Sequence, residues 1–286
     1  MAISWVNGEL VDDEEARVSA LDHGLVVGDG VFETVLLVKS RPFALDRHIA
    51  RLSRSAFGLG LEPPNAPSVR AAVEAVVAAN AVELGRIRIT YTDGLGPLGS
   101  ARLRAAESGA RPHNRSSTLV VSVAPDSPST EGASVVVVPW TRNERGALAG
   151  LKTTSYGENV RALAYAMSRD ADEAIFANTR DELCEGTGSN IFVVIDGELI
   201  TPPLSSGCLD GITRALVIES YGAKEAELPI SVLRPGGVDE AFLTSTIRGV
   251  QPLLVVDGQR IVDEAGPVTA KAKSVYDEIV ASTPEP

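Results

Sequence analysis

Asn7-Gly8, Asp196-Gly197 and Asp257-Gly258 each sit between two short apolar runs, and this repeated arrangement constrains the fold more than any other feature of the chain. Both central residues of a type I′ turn need positive φ, which Asn-Gly and Asp-Gly supply at little steric cost, and the turn's twist matches that of the strands it joins. Hairpins are therefore expected around residues 3–11, 196–197 and 253–262. Helical patterns lie between them. After Leu45-Asp46, with Asp46 as the expected N-cap, His48, Ile49, Leu52 and Ala56 recur on one face. Further helices are expected over 68–80, 158–169, from Asp210, and 268–281, with strands over 26–38, 86–92, 119–123, 134–140, 173–177 and 240–244. Hairpins and helices mix without regular strand–helix alternation, and no glycine-rich dinucleotide or P-loop fingerprint is present, so the fold class is α+β.

A chain of 286 residues suits one large or two modest domains, and the turn formers of residues 124–132 mark a boundary that favours two. The expected division is an N-terminal α+β domain over 1–124, a linker over 125–132 and a C-terminal domain over 133–286. The net charge of −12 disfavours binding to a phosphate backbone, so no nucleic-acid partner is expected. No apolar run approaches a membrane span. Cys184 and Cys208 are too few for a disulfide framework and lack metal-ligand spacing, which suits reduced thiols in a cytoplasmic protein. His23, His48 and His113 likewise show no metal spacing, and no metal is expected.

Lysine is scarce: Lys39, Lys152, Lys224, Lys271 and Lys273 are the whole set. Lys152 stands among uncharged neighbours, Gly146 to Leu151 before it and Thr153 to Tyr156 after it, where an amine can be desolvated and act as nucleophile or base. A surface lysine is the ordinary alternative. Glu185 precedes Gly186-Thr187-Gly188-Ser189-Asn190 and could pair with a buried ring nitrogen, although a β-turn explains the same residues. Gly211-Ile212-Thr213 opens a helix whose N–H groups could face a phosphate, or Asp210 could simply cap it. Ser245 and Thr246 offer hydroxyls at a strand end, and Arg51 borders the apolar face of its helix.

In order and spacing these pieces resemble the class IV, fold-type IV pyridoxal-phosphate enzymes. The resemblance is carried by Gly28-Asp29-Gly30-Val31-Phe32-Glu33-Thr34, His48-Ile49-Ala50-Arg51-Leu52, Lys152 with Tyr156, Glu185 to Asn190, Leu209 to Arg214, and Thr244-Ser245-Thr246. It implies a smaller N-terminal α+β domain, a larger C-terminal cofactor-binding domain with a barrel-like sheet, pyridoxal 5′-phosphate as cofactor, a small-molecule amino substrate and a homodimer. Lys152 would be the Schiff-base lysine and proton shuttle, Glu185 would meet the pyridinium nitrogen, and Tyr156 the phenolic oxygen. Arg51, the N–H groups of Gly211, Ile212 and Thr213, and the hydroxyls of Ser245 and Thr246 would hold the phosphate. Phe32, the loop over 141–150 and Ile247 would line the substrate side. Asp93-Gly94 stands where related lyases and D-amino-acid aminotransferases carry Arg-Gly, so Arg88 or Arg248 would have to bind the substrate carboxylate. The Gly28-to-Thr34 segment is most similar to 4-amino-4-deoxychorismate lyase, which releases pyruvate and 4-aminobenzoate; an amino-acid aminotransferase of branched-chain or D-amino-acid type is the alternative, with a non-catalytic cofactor-binding homologue as a third reading.

Overall fold

The computed structural model of the chain describes residues 2–102, 117–127 and 131–286, so His113 and part of the expected linker lie outside the described residues. The chain divides into two compact units, Met1–Ser127 with Leu151–Ser155 and Glu285, and Pro128–Gly150 with Tyr156–Pro284 and Pro286.

In the first unit β1 (Ile3–Val6) and β2 (Glu9–Asp12) form the expected hairpin, with Asn7 and Gly8 at φ of 50° and 109°. One helical turn, α1 (His23–Val26), comes before β3 (Gly30–Val38), so the strand expected from residue 26 begins later. The cause is Asp22, whose Oδ1 accepts from Gly24 N at 2.8 Å and turns the chain helical first. The unit continues with β4 (Arg41–Pro42), α2 (Leu45–Leu59), α3 (Ala66–Ala79), β5 (Leu84–Thr92) and β6 (Thr118–Pro125). Asp46 is not the cap of α2: that position belongs to Ala44, and Asp46 lies in the first turn, where its charge suits the helix dipole. All pairings in the sheet β2-β1-β6-β5-β3-β4 are antiparallel.

One face of that sheet, with Val31, Val35, Ile87, Ile89 and Val121, packs on Leu45, Ile49 and Leu52 of α2 and Val69, Val73 and Val76 of α3. Each such side chain contributes about 1.5–3 kcal/mol by burial. Strand alternation puts Glu33 on the same face, fully buried between Val31 and Val35.

Residues 151–155, expected in the C-terminal domain, pack with this first unit instead. Phe32 N donates to Lys152 O at 2.9 Å and Thr154 N to Gly30 O at 2.8 Å, and Val31 bridges Thr153. The hydroxyls of Thr154 and Ser155 donate to Gly28 O at 2.9 and 3.1 Å. Gly28 has φ of +72°, and a Cβ there would stand 2.6 Å from Ser155 Oγ, so the approach requires glycine.

The second unit runs β7 (Ala133–Arg142), α4 (Gly157–Met167), β8 (Glu173–Asn178), β9 (Leu183–Gly186), β10 (Asn190–Ile195), β11 (Glu198–Thr201), α5 (Ile212–Tyr221), β12 (Lys224–Glu225), β13 (Glu240–Ser245), β14 (Gly249–Val256), β15 (Gln259–Arg260) and α6 (Pro267–Ser282). Its mixed sheet, β12-β11-β10-β13-β14-β7-β8-β9 with β15 on β14, curls into a half-barrel. The pairs β11/β12, β14/β7 and β7/β8 are parallel, the others antiparallel. Ile175, Ile191, Val193, Leu243 and Leu253 pack in its main core, while Val136, Val138 and Phe176 meet Ala162 and Ala166 of α4. The observed class is α+β, as the sequence implies.

Candidate active site

Glu33 is the centre of a buried cluster in the first unit. Arg51 donates to it twice, Nε to Oε1 and Nη2 to Oε2 at 2.7 Å each, and His48 Nδ1 lies 2.8 Å from Oε2. Burial alone would raise the Glu33 carboxyl, but the Arg51 charge and the bonds from Arg51 and His48 outweigh it and hold the group far below the carboxylate range. The two-pronged contact fixes the Arg51 guanidinium in one plane, so Glu33 orients Arg51. The sequence reading gave Glu33 no role, although a charge on the core face of an apolar strand demands a partner.

Burial depresses His48 below its ordinary 6.5, and the hydrogen bond and charge of Glu33 only partly offset this. The folded protein therefore keeps His48 neutral where the unfolded chain would take up a proton, so its contribution to stability is present above about pH 6.5 and lost as pH falls below it. Glu33, also depressed, adds a second loss as pH falls through the range near 4.5. Between pH 7.5 and 5 the unfolding free energy of the apoprotein is expected to fall more steeply than that of His48→Gln, by up to about 1.4 kcal/mol per pH unit below 6.5. Denaturant titrations at several pH values give the two slopes, and equal slopes would show that His48 does not titrate on unfolding.

Lys152 is half-buried, its N donating to Ser55 Oγ at 3.2 Å. Its Nζ lies 4.3 Å from the centroid of the Phe32 ring, and the Arg88 guanidinium carbon lies 3.4 Å from the same centroid. An amine and a permanent cation thus meet at one aromatic surface. Asp93 falls near His23 and Asp29, with ligand atoms of the three within 4.8 Å. That cluster is already committed: His23 Nδ1 and Nε2 face Asp29 and Pro97 O at 3.2 and 3.0 Å, and Arg102 binds Asp29 through Nε and Nη2 at 2.7 and 2.6 Å.

In the second unit Glu185 lies on β9, a strand the sequence reading missed because the Gly, Thr and Ser that follow it read as a turn. Its side chain is 11% exposed, with Oε2 accepting from Leu209 N at 2.8 Å and Oε1 3.3 Å from Arg142 Nε. Arg142 is a site neighbour that its position in a polar run did not signal. The turn after Glu185 is held by buried Glu173, which accepts from Thr187 N at 3.0 Å and Ser189 Oγ at 3.3 Å.

Helix α5 begins at Ile212 with Gly211 as N-cap and no side-chain cap, so Asp210 does not cap it. A Cβ on Gly211 would come 2.0 Å from Asn190 Oδ1, so glycine is needed for packing. The first N–H groups of such a helix have no intrahelical acceptor. The Thr213 hydroxyl engages the Tyr276 phenol, which burial pushes up to about 12, so Thr213 can offer a phosphate its N–H. α5 packs on β13, where the Thr244 hydroxyl is buried and lacks a hydrogen-bond partner. Half-buried Ser245 ends β13, and Thr246, Ile247 and Arg248 follow in a half-buried turn, with Ser245 Oγ accepting from Arg248 N at 3.3 Å. The Arg248 guanidinium turns to Gln251 and to Glu173, 3.5 Å away. Tyr156 is half-buried at the N-cap of α4. The cysteines are both free and buried, and burial raises both thiols, Cys208 to about 11, which makes them poor nucleophiles.

An uncapped helix N-terminus packed on a strand with an unpartnered buried hydroxyl suits a phosphate, and a buried acceptor oxygen suits a protonated ring nitrogen. The donor set fits pyridoxal 5′-phosphate.

Relatives carry the same architecture. The model for class IV amino-transferases matches residues 30–256. D-alanine aminotransferase of Staphylococcus epidermidis is 28% identical over 97% of this chain and 98% of its own length. Branched-chain aminotransferase of the archaeon Thermoproteus uzoniensis, solved with norvaline, superposes with a TM-score of 0.86 at 31% identity, covering 98% of this chain and 94% of that one. A Mycobacterium tuberculosis protein described as a hypothetical aminotransferase, solved in its pyridoxal-phosphate-bound form, gives 0.82 at 26% identity, covering 98% and 99%. The match spans β3 to β14 and so takes in Glu33, Arg51, Lys152, Glu185 and the start of α5, which makes the chain a class IV aminotransferase and, with that class, a pyridoxal-phosphate-dependent enzyme.

Proposed function

We propose that the enzyme is an amino-acid aminotransferase, moving an amino group between a small amino acid and a 2-keto acid. The observation that carries the reading is the grouping of Lys152 Nζ and the Arg88 guanidinium at the Phe32 ring, 4.3 and 3.4 Å from its centroid. An amino acid presents complementary features: a carboxylate for Arg88 and an apolar side chain for the ring, with its Cα–H toward the amine. Arg88, whose Nε also donates to Thr90 Oγ1 at 3.3 Å, meets the ring that Lys152 meets, whereas the Arg248 guanidinium faces Glu173 and Gln251.

Pyridoxal phosphate, when bound, supplies an electron sink for the pair released as the Cα–H bond breaks. Lys152 takes that proton and returns it, which requires an amine without its own proton. The Phe32 ring covers one side of Nζ, 4.3 Å from its centroid. Glu185 holds a proton on the ring nitrogen through its carboxylate. The phosphate ligands on this reading are Arg51, kept in plane by Glu33, from the first unit, and from the second the N–H groups of Gly211, Ile212 and Thr213 and the hydroxyls of Ser245 and Thr246. Tyr156 donates to the phenolic oxygen. Assembly as a homodimer in the cytoplasm belongs to the same reading.

Likeness to the D-alanine and branched-chain aminotransferases named above favours this reaction over the lyase reading of the Gly28-to-Thr34 segment. The two part in one experiment. Holoenzyme mixed with single amino acids and no keto acid is expected to convert its cofactor stoichiometrically from the aldehyde to the amine form with at least one of Leu, Ile, Val, Glu or D-Ala, read as loss of visible absorbance. If no amino acid does so, and 4-amino-4-deoxychorismate yields pyruvate and 4-aminobenzoate in step, the enzyme is the lyase.

A further inference from the structure

We propose that Arg142 is a positioning residue for Glu185, holding its carboxylate anionic and in one orientation toward the cofactor's ring nitrogen. The inference rests on the role given to Glu185 above. Register makes the contact possible. Arg142 ends β7 opposite Asn178 of β8, and Phe176 of β8 pairs with Glu185 of β9. The Arg142 guanidinium carbon lies 4.3 Å from the Phe176 ring centroid, so the side chain crosses β8 over that ring and reaches the next strand. There its Nε stands 3.3 Å from Glu185 Oε1.

This contact is ionic: Nε is buried and makes no hydrogen bond. What fixes the guanidinium is its other edge. Nη1 and Nη2 both donate to Asn159 Oδ1 at 3.2 Å, and Nη1 also meets the exposed Glu158 at 3.4 Å. The Asn159 amide donates in turn to Thr187 O, in the turn that follows Glu185. The Glu185 carboxylate is therefore restrained at both oxygens, by the Leu209 N–H at Oε2 and by a fixed charge at Oε1. Guanidinium does not lose its proton in the working pH range, so that charge is constant. A nearby cation lowers the proton affinity of a carboxylate, which keeps the proton of the pair on the ring nitrogen. The positive ring nitrogen in turn lowers the proton affinity of the nitrogen joined to the cofactor's aldehyde carbon, and the pH midpoint of the visible band reports it.

The test measures that midpoint and the cofactor dissociation constant on reconstituted wild-type, Glu185→Gln, Arg142→Gln, Arg142→Lys and Asn159→Ala proteins. Glu185→Gln is expected to raise the midpoint. Arg142→Gln is expected to raise it in the same direction by about one unit and to weaken cofactor binding about tenfold. Arg142→Lys should recover part of the shift because it keeps the charge without the fork, and Asn159→Ala should show a smaller shift of the same sign. If Arg142→Gln fails to fold, the last two variants carry the comparison. The inference is overturned if Glu185→Gln moves the midpoint while the folded Arg142 and Asn159 variants leave it at the wild-type value. A midpoint unmoved by Glu185→Gln overturns the role of Glu185 itself, and this inference with it.

Discussion

Lys152→Ala is expected to lower turnover by about 10²–10⁴-fold or more, since a positioned acid–base group contributes on that order and this one would also anchor the cofactor. The other lysines cannot substitute. Lys39, Lys224, Lys271 and Lys273 are all exposed, with Lys224 and Lys273 paired to Glu198 and Asp277 at 3.2 and 2.6 Å, whereas Lys152 is half-buried against Phe32. Borohydride reduction of the holoenzyme should leave the cofactor on the peptide containing Lys152. Recovery on any other lysine would refute the assignment, as would a Lys152→Ala protein that retains wild-type turnover and the visible band.

The isolation of Lys152 was legible in the sequence because it depends on neighbouring residues alone. Its membership of the first unit was not. The bonds that hold 151–155 beside β3 join Gly28, Gly30 and Phe32 to residues more than a hundred positions away, and no local pattern encodes such pairing. The hairpins at Asn7-Gly8, Asp196-Gly197 and Asp257-Gly258 follow from turn chemistry, and the structure contains all three. Helix starts are less legible. Asp46 and Asp210 have the side chains of caps, but Ala44 and Gly211 hold the cap positions, because tertiary packing sets where each helix begins.

The candidate site divides along the same line. Motifs in the sequence mark Glu185 and Gly211-Ile212-Thr213 as candidates, but nothing local marks the side chains that touch them. Arg142 reaches Glu185 across β8, and only strand register reveals that. Glu33 was accessible in principle: the alternation that puts Val31 and Val35 in the core puts Glu33 there too, and the basic residues on the apolar edge of α2 are its natural partners.

Glu33 and Arg51 supply the second large effect, because their buried pairing stabilises the first unit and, on the proposed function, orients a phosphate ligand. Arg51→Ala leaves a fully buried carboxylate without its bidentate partner, and breaking a buried ion pair in this way costs about 3–5 kcal/mol. A drop in unfolding midpoint alone would therefore say nothing about the phosphate. The double variant Glu33→Leu/Arg51→Met separates the two, since replacing a buried pair by apolar groups of similar volume is often close to neutral. Its apoprotein is expected to unfold above the midpoint of Arg51→Ala, short of wild type because His48 Nδ1 loses its acceptor, while its cofactor dissociation constant rises by about 10- to 150-fold, corresponding to the roughly 1.5–3 kcal/mol of a charge-assisted contact. Arg47→Ala, on the same helix but less buried, is expected to leave that constant within about twofold of wild type. If the stable double variant retains wild-type affinity, Arg51 serves the core of the first unit, and the phosphate must be held by the residues of α5 and the turn after β13.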